Sequence, residues 1–216
     1  MPFTNGAVAH VNQYKQGLFF SHDFVGNNSW NGYENNCLFS NVGDGRFVDV
    51  ARPSGADGLL DGRGVATADF NGDGRLDLAI NNNNSRPTLY LNRIADAGNW
   101  LQLALVGSTS NRDAVGAKVA LTFGHRTLTR WVEAGSGYAA QSAYPLHFGL
   151  GQAEHVDAVE ITWPSGEVVR LDGADVEVNR LLQVAETGEV VALATEAVVA
   201  EDAGAADSTV AGAIGG

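Results

Sequence analysis

The residues best suited to chemistry lie in one nine-residue run, Asp69-Phe70-Asn71-Gly72-Asp73-Gly74-Arg75-Leu76-Asp77. Oxygen-bearing side chains fall at its positions 1, 3, 5 and 9 (Asp69, Asn71, Asp73 and Asp77), and Arg75 at position 7 can offer its backbone carbonyl. Calcium is a hard cation that takes about six to eight oxygens in a flexible cage. Three carboxylates and one amide oxygen, alternating with small residues, can wrap a loop around such an ion, and Gly72 and Gly74 permit the sharp turn. The spacing opens like that of a helix-flanked calcium loop but closes at position 9 with Asp77. Its flanks read as strands, so the loop is expected at a hairpin tip. Magnesium demands stricter octahedral geometry and keeps its waters, so it fits less well than Ca2+. The competing reading is an Asx-rich turn with no ion. Three carboxylates brought together without a cation repel one another, which favours the ion.

Other candidates are weaker. Asp44, in Val42-Gly43-Asp44-Gly45, has no oxygen partners at the required offsets and reads as a turn, and His22-Asp23 offers at most a degenerate loop. The single cysteine, Cys37, forbids an intrachain disulfide and a cysteine-based zinc site, and is expected as a small buried apolar residue. His147, between Leu146 and Phe148, reads as a satisfied structural histidine in preference to a catalytic base. Gly135-Ser136-Gly137 lacks the Gly-x-Ser-x-Gly pattern and strand-to-helix context of a nucleophile elbow. Asn111-Arg112-Asp113 reads as a polar turn with a local ion pair in preference to a ligand-recognition element. Trp163-Pro164-Ser165-Gly166 reads as a strand end entering a tight turn, with Trp163 in the core. Glu133, Glu154 and Asp157 could serve an enzyme, but nothing in their spacing selects them. Trp30, Tyr33 and Trp131 would suit stacking against sugars. No nucleophile–base–orienter set emerges, so the expected catalytic residues are none.

The elements that must position the loop are short. Of 216 residues, 27 are Gly, 17 Asn and 15 Asp, types that populate tight turns, so the composition points to many brief strands rather than a helical bundle. Residues 1–36 show no clear periodicity, although Phe19, Phe20, Phe24, Trp30 and Tyr33 suggest packed irregular loops. Strands are expected over 38–40 and 47–50 about a Gly-Asp-Gly turn, over 64–70 and 76–80 about the acidic loop, and over 88–92. Leu38-Phe39-Ser40-Asn41 recurs as Leu89-Tyr90-Leu91-Asn92, and a period near 50 of strand hairpins is that of propeller blades. From Asn99 the pattern changes to strand-like runs over 100–106, 117–123, 127–133, 146–148, 156–163, 168–171, 181–185 and 190–193. Turns at Gly107, Gly124, Gly166 and Gly188 then argue a sandwich or small barrel. The last segment, 195–216, has four acids and no aromatic or basic residue. It reads as a disordered acidic Ala/Gly tail, with an Ala-rich helix over 195–206 as the alternative.

A resemblance can now be stated. Gly62-Arg63-Gly64-Val65-Ala66 followed by Asp69–Asp77 resembles an FG-GAP/VCBS repeat, the calcium-bearing hairpin of integrin-like propellers. The second half resembles an ASPIC/UnbV domain, as found in the cartilage acidic protein family and its bacterial relatives. That likeness is carried by Asn111-Arg112-Asp113-Ala114-Val115-Gly116-Ala117, Gly135-Ser136-Gly137-Tyr138, Leu146-His147-Phe148-Gly149-Leu150-Gly151 and Trp163-Pro164-Ser165-Gly166. Together the resemblances cover roughly residues 37–186. They imply an all-β chain: an incomplete propeller of about two blades over 1–98, then a small antiparallel β-sandwich or barrel over 99–194. A closed propeller wants at least about four blades, so either blades are missing or a partner covers the open edges. The resemblance also implies a secreted or surface protein with an adhesion or interaction role and a protein or glycan partner. The alternatives are an accessory protein or enzyme of a biosynthetic pathway, or a carbohydrate-binding module, each with structural calcium.

Net charge is −12. An acidic chain opposes phosphate backbones, so no nucleic-acid partner is expected. No apolar run reaches the roughly 18 residues of a membrane span. Met1-Pro-Phe-Thr-Asn-Gly has neither the basic nor the apolar region of a signal peptide, so the expectation for a protein with exported relatives is a fragment or a gene missing its front.

Overall fold

The computed structural model describes residues 34–83 and 85–194. The expectations for Trp30, Tyr33, His22-Asp23, Phe19, Phe20, Phe24 and the tail lie outside those residues. Within them the chain is all-β, and no sheet closes on itself. The described residues form two compact units: 34–63 with 81–83 and 85–87, and 64–80 with 88–194. The acidic loop therefore shares a unit with residues 99–194, which a boundary at 98/99 would separate from it.

In the first unit, β1 (Phe39–Gly43) and β2 (Arg46–Asp49) form an antiparallel hairpin. Its turn carries three consecutive positive φ values, at Gly43, Asp44 and Gly45. Asp44 is thus a turn residue, as its neighbours suggested. A short helix the sequence did not announce, α1 (Ala51–Ser54), follows and ends at Gly55, whose left-handed conformation lets its N–H reach the carbonyls of Ala51 and Arg52. Asp49 organises this join. Its Oδ1 accepts the N–H of Leu38 at 3.1 Å and of Ala51 at 2.9 Å. Both bonds hold its carboxyl below the ordinary carboxylate range.

Cys37 is exposed, which corrects the expectation of a buried residue. The cause is the hairpin beside it. β1 and β2 are exposed along their whole length, and among the described residues no third strand pairs with them, so there is no layer to bury a neighbour. The Asp49 carboxylate next to it pushes the Cys37 thiol up.

In the second unit, β3 (Gly62–Ala68), β4 (Asp77–Asn82) and β5 (Thr88–Tyr90) form a three-stranded sheet in that order, most of whose residues belong here. The rest is a sandwich. One sheet has the order β11 (Val168–Asp172), β10 (Ala158–Thr162), β7 (Lys118–Phe123), β8 (Arg126–Trp131). The other has the order β13 (Val190–Leu193), β12 (Leu181–Ala185), β6 (Asn99–Val106), β9 (Leu146–Gly151). Every strand expected from the sequence of this region is present.

Alternation explains the packing, because side chains in a strand point to opposite faces in turn. Leu101, Leu103 and Leu105 of β6, Val119 and Leu121 of β7, Phe148 of β9, Val159 and Ile161 of β10 and Val184 of β12 meet in one buried cluster. Trp163 lies in it at 2% exposure, as expected from its motif. One pairing departs from an antiparallel plan: β12 runs parallel to β6, with Leu182 opposite Leu103 and Val184 opposite Leu105. Alternation reports which face is buried, not which way a neighbour runs, so this direction was not legible.

Candidate functional site

The acidic loop sits between β3 and β4, at the hairpin tip its flanks predicted. Gly72 and Gly74 take positive φ of 71° and 81° and make the turn. Asp77, the first residue of β4, is fully buried. Its two carboxylate oxygens accept the N–H of Asn92 at 2.7 Å and of Phe70 at 2.9 Å, which ties both ends of the loop to β5's exit. Asp69 accepts the N–H of Asp73 at 3.1 Å, the N–H of Gly74 at 2.8 Å and the side-chain amide of Gln102 at 3.1 Å. Asp73 accepts the N–H of Arg75 and the side-chain amide of Asn71, and pairs with the Arg75 guanidinium. Arg75 Nε in turn donates to the Asn92 carbonyl at 2.7 Å.

This arrangement bears on the ion in two ways. Among the described residues, no three His, Cys, Asp or Glu side chains gather as a group that could hold a metal. The acids face N–H donors and Arg75, so the loop has an ion-free way to offset part of its charge. The donor set nevertheless fits calcium in kind. A carboxylate offers about four lone-pair sites. Asp77 uses two of them, and the Asn71 carbonyl oxygen receives only a long contact of 3.4 Å from the Asp73 N–H. Oxygen acceptor capacity therefore remains at positions 3 and 9.

Two residues that the sequence reading did not connect to the loop hold it in place. His147 Nε2–H donates to the Gly74 carbonyl at 2.7 Å. Its ring stacks on Trp100, with centroids 6.3 Å apart and planes 9° from parallel. Trp100 occupies the space beside Gly74 so closely that a Cβ there would lie 1.9 Å from the indole nitrogen. Burial lowers the His147 pKa below its ordinary 6.5, against the opposing pull of the Gly74 bond. His147 is the satisfied structural histidine its apolar flanks suggested.

The comparisons with known proteins divide the chain after residue 80, so the acidic loop falls with the N-terminal match although it shares a compact unit with the sandwich. The family model for the FG-GAP-like repeat matches residues 22–80, and that for ASPIC and UnbV matches residues 107–191. The chain joins an FG-GAP-like repeat to an ASPIC and UnbV domain. It is 30% identical over 180 residues to cartilage acidic protein 1 of Xenopus tropicalis, covering 76% of this chain and 28% of that protein. It is 29% identical over 179 residues to the Mus musculus protein of that name, covering 75% and 27%. It is 30% identical over 167 residues to the Homo sapiens one, covering 69% and 25%. The chain thus spans about a quarter of the length of these relatives.

Within the ASPIC and UnbV domain, a second polar centre went unnoticed in the sequence. Glu186 is buried, at 6% exposure. One of its oxygens accepts the N–H groups of Ser108, Thr109 and Ser110 at 2.7, 2.7 and 2.9 Å. The other accepts the hydroxyls of Ser110 at 2.7 Å and Ser165 at 2.6 Å. Burial works to raise its pKa, but these bonds outweigh it and hold the carboxyl far below the ordinary range. The signal that could have found it is an acid directly after the buried stretch of β12.

Two motif readings resolve here. The Asn111–Val115 turn forms, but among the described residues Arg112 and Asp113 make no ion pair with each other. The turn is closed instead by the Asn111 amide, which accepts the Val115 N–H at 2.8 Å and donates to the Val115 carbonyl at 2.9 Å. An asparagine closes a turn through its own geometry, without long charged side chains having to be ordered. Gly135-Ser136-Gly137 lies in a loop with one isolated bridge, Gly137 to Ala140, not at a strand-to-helix elbow.

Among the described residues no helix is long and apolar enough to cross a membrane.

Proposed function

We propose that this chain is a calcium-binding, non-enzymatic interaction module of a secreted or cell-surface protein, with a protein or glycan partner. The observation that carries the reading is the all-oxygen donor set at the tip of the β3–β4 hairpin, inside the FG-GAP-like repeat. The side chains of Asp69, Asn71, Asp73 and Asp77 and the carbonyl of Arg75 would hold the ion. Bound calcium supplies charge neutralisation and a cross-link of the loop. The support for a secreted or surface setting is the family likeness, together with the match of such a site to millimolar calcium, since extracellular modules bind at Kd of about 10⁻⁴ to 10⁻³ M. The FG-GAP-like repeat is consistent with part of a propeller, whose remaining blades or partner would cover the edges of the β1–β2 and β3–β5 sheets.

The test is a calorimetric titration of chelator-stripped protein with calcium, then with magnesium. One calcium per chain with weaker magnesium binding is the expected result. Heat indistinguishable from dilution up to millimolar calcium would remove the metal from this reading.

A further inference from the structure

We infer that the cleft along edge strand β8 is a binding site for a neutral saccharide. The cleft measures about 510 Å³, within the range of about 300–1,000 Å³ usual for small-molecule sites. Its walls come from β8, the 133–145 loop and the end of β3, all in the second unit.

Two observations point to sugar. Two aromatic residues from separate segments line this one cavity while staying open to solvent: Trp131 at 53% and Tyr144 at 40% exposure. An aromatic face left in water beside polar groups suits a ligand with an apolar C–H face and a hydroxyl rim, which is the chemistry of a pyranose ring. The second observation is charge. Asp69 also lines the cleft, but it belongs to the acidic loop and already accepts three hydrogen bonds. His147 Nε2 is committed to the Gly74 carbonyl. The charged groups left to a ligand are Arg130 and Glu133. Neither makes an ion pair or side-chain hydrogen bond with a described residue. Arg130 instead lies over the Phe148 ring at 5.8 Å. One cation and one anion leave no net charge to select a sulfated or uronate glycan. Each can take hydroxyls, the guanidinium as donor and the carboxylate as acceptor. The backbone of β8 adds to this, because an edge strand leaves N–H and C=O groups unpaired by a neighbour.

The assignment does not rest on calcium. Its test applies the whole chain to an array of neutral gluco-, manno-, galacto- and N-acetylglucosamine oligosaccharides, with sulfated and uronate-containing glycans as a second set. At least one neutral oligosaccharide should bind. Trp131→Ala should weaken that binding about tenfold or more, the loss expected for a central aromatic anchor. Glu133→Gln should weaken it too, and since Glu133 lies exposed after β8 it keeps the test open if Trp131→Ala fails to fold. Binding of no neutral glycan, binding of the anionic set alone, or neutral binding unchanged in the folded variants would each overturn the assignment.

Discussion

His147 Nε2 lies 2.7 Å from the carbonyl oxygen of Gly74. One residue is inside the ASPIC and UnbV domain and the other inside the acidic loop of the FG-GAP-like repeat. The bond joins the loop to β9, and Trp100 fills the volume that any side chain at position 74 would need. Nearby, the hydroxyl of Ser142 accepts the Thr67 N–H at 3.1 Å, and the Ala143 N–H donates to the Thr67 carbonyl at 3.0 Å. The loop is therefore fixed by the sandwich, not only by its own hairpin.

Removing that fixture should cost stability. His147→Ala deletes a hydrogen bond and a stacked ring, and should destabilise the second unit by about 1–3 kcal/mol, measured by denaturant unfolding. The sign with pH follows from the lowered pKa. Below about 6.5 the unfolded chain takes up a proton at this residue that the folded chain resists, so wild-type stability should fall as pH drops from 6.5 toward 5. The alanine variant should lack this part of the slope. An identical slope in both would show that His147 is not the titrating group.

Gly74→Ala should be worse than an ordinary loop substitution. Position 74 has φ +81°, and its Cβ would overlap the Trp100 indole. Strain plus overpacking predict a loss of about 2–4 kcal/mol. Gly45→Ala is the control, since it has φ +71° with nothing within 4 Å of the added methyl. Equal losses at the two positions would mean that backbone strain alone matters and that Trp100 does not press on the loop.

Glu186→Gln should lower the melting temperature of the second unit, because an amide presents an N–H₂ group to a ring of donors and loses the charge they surround. Glu160→Gln should do little, since Glu160 meets Arg170 at 2.8 Å on the surface. The depressed pKa of Glu186 means that its contribution is present above the ordinary glutamate value of 4.5 and fades as pH falls below it. Thermal melts of wild type and variant should therefore converge in acid. Parallel curves down to pH 3 would argue against this centre.

What was legible followed from local pattern. Strand-like runs between glycine turns placed every strand of the sandwich, because a short apolar run bounded by turn residues is a local signal. The loop was legible because oxygen donors at fixed offsets are a local property. His147 and Gly74 were both singled out, but their pairing spans 73 residues, and nothing local encodes it. Glu186 escaped for the same reason: its donors come from 108–110 and 165. Helix α1 was missed because four residues ended by Gly55 give no periodicity. Cys37 was misplaced because its residue type suggests burial only when a second layer exists to provide it.

The last prediction concerns calcium. Asp69, Asp73 and Asp77 crowd nine residues, and although N–H groups and Arg75 offset part of their charge, a cation should offset more. Binding to the folded state alone stabilises by RT ln(1 + [L]/Kd). With free calcium at about 1 mM, a Kd between about 10⁻⁴ and 10⁻³ M gives roughly 0.4–1.4 kcal/mol. For a chain of this length that is a rise in melting temperature of about 1–6 °C if unfolding is two-state. Chelation should reverse it, and magnesium at the same concentration should do markedly less. Asp73→Ala should abolish the response while leaving the sandwich strands folded by circular dichroism. That variant also releases Arg75 from its partner, so it separates two accounts of the loop. If Arg75 is the counter-ion the loop relies on, metal-free wild type should melt at one temperature with or without calcium, and the metal assignment would be wrong.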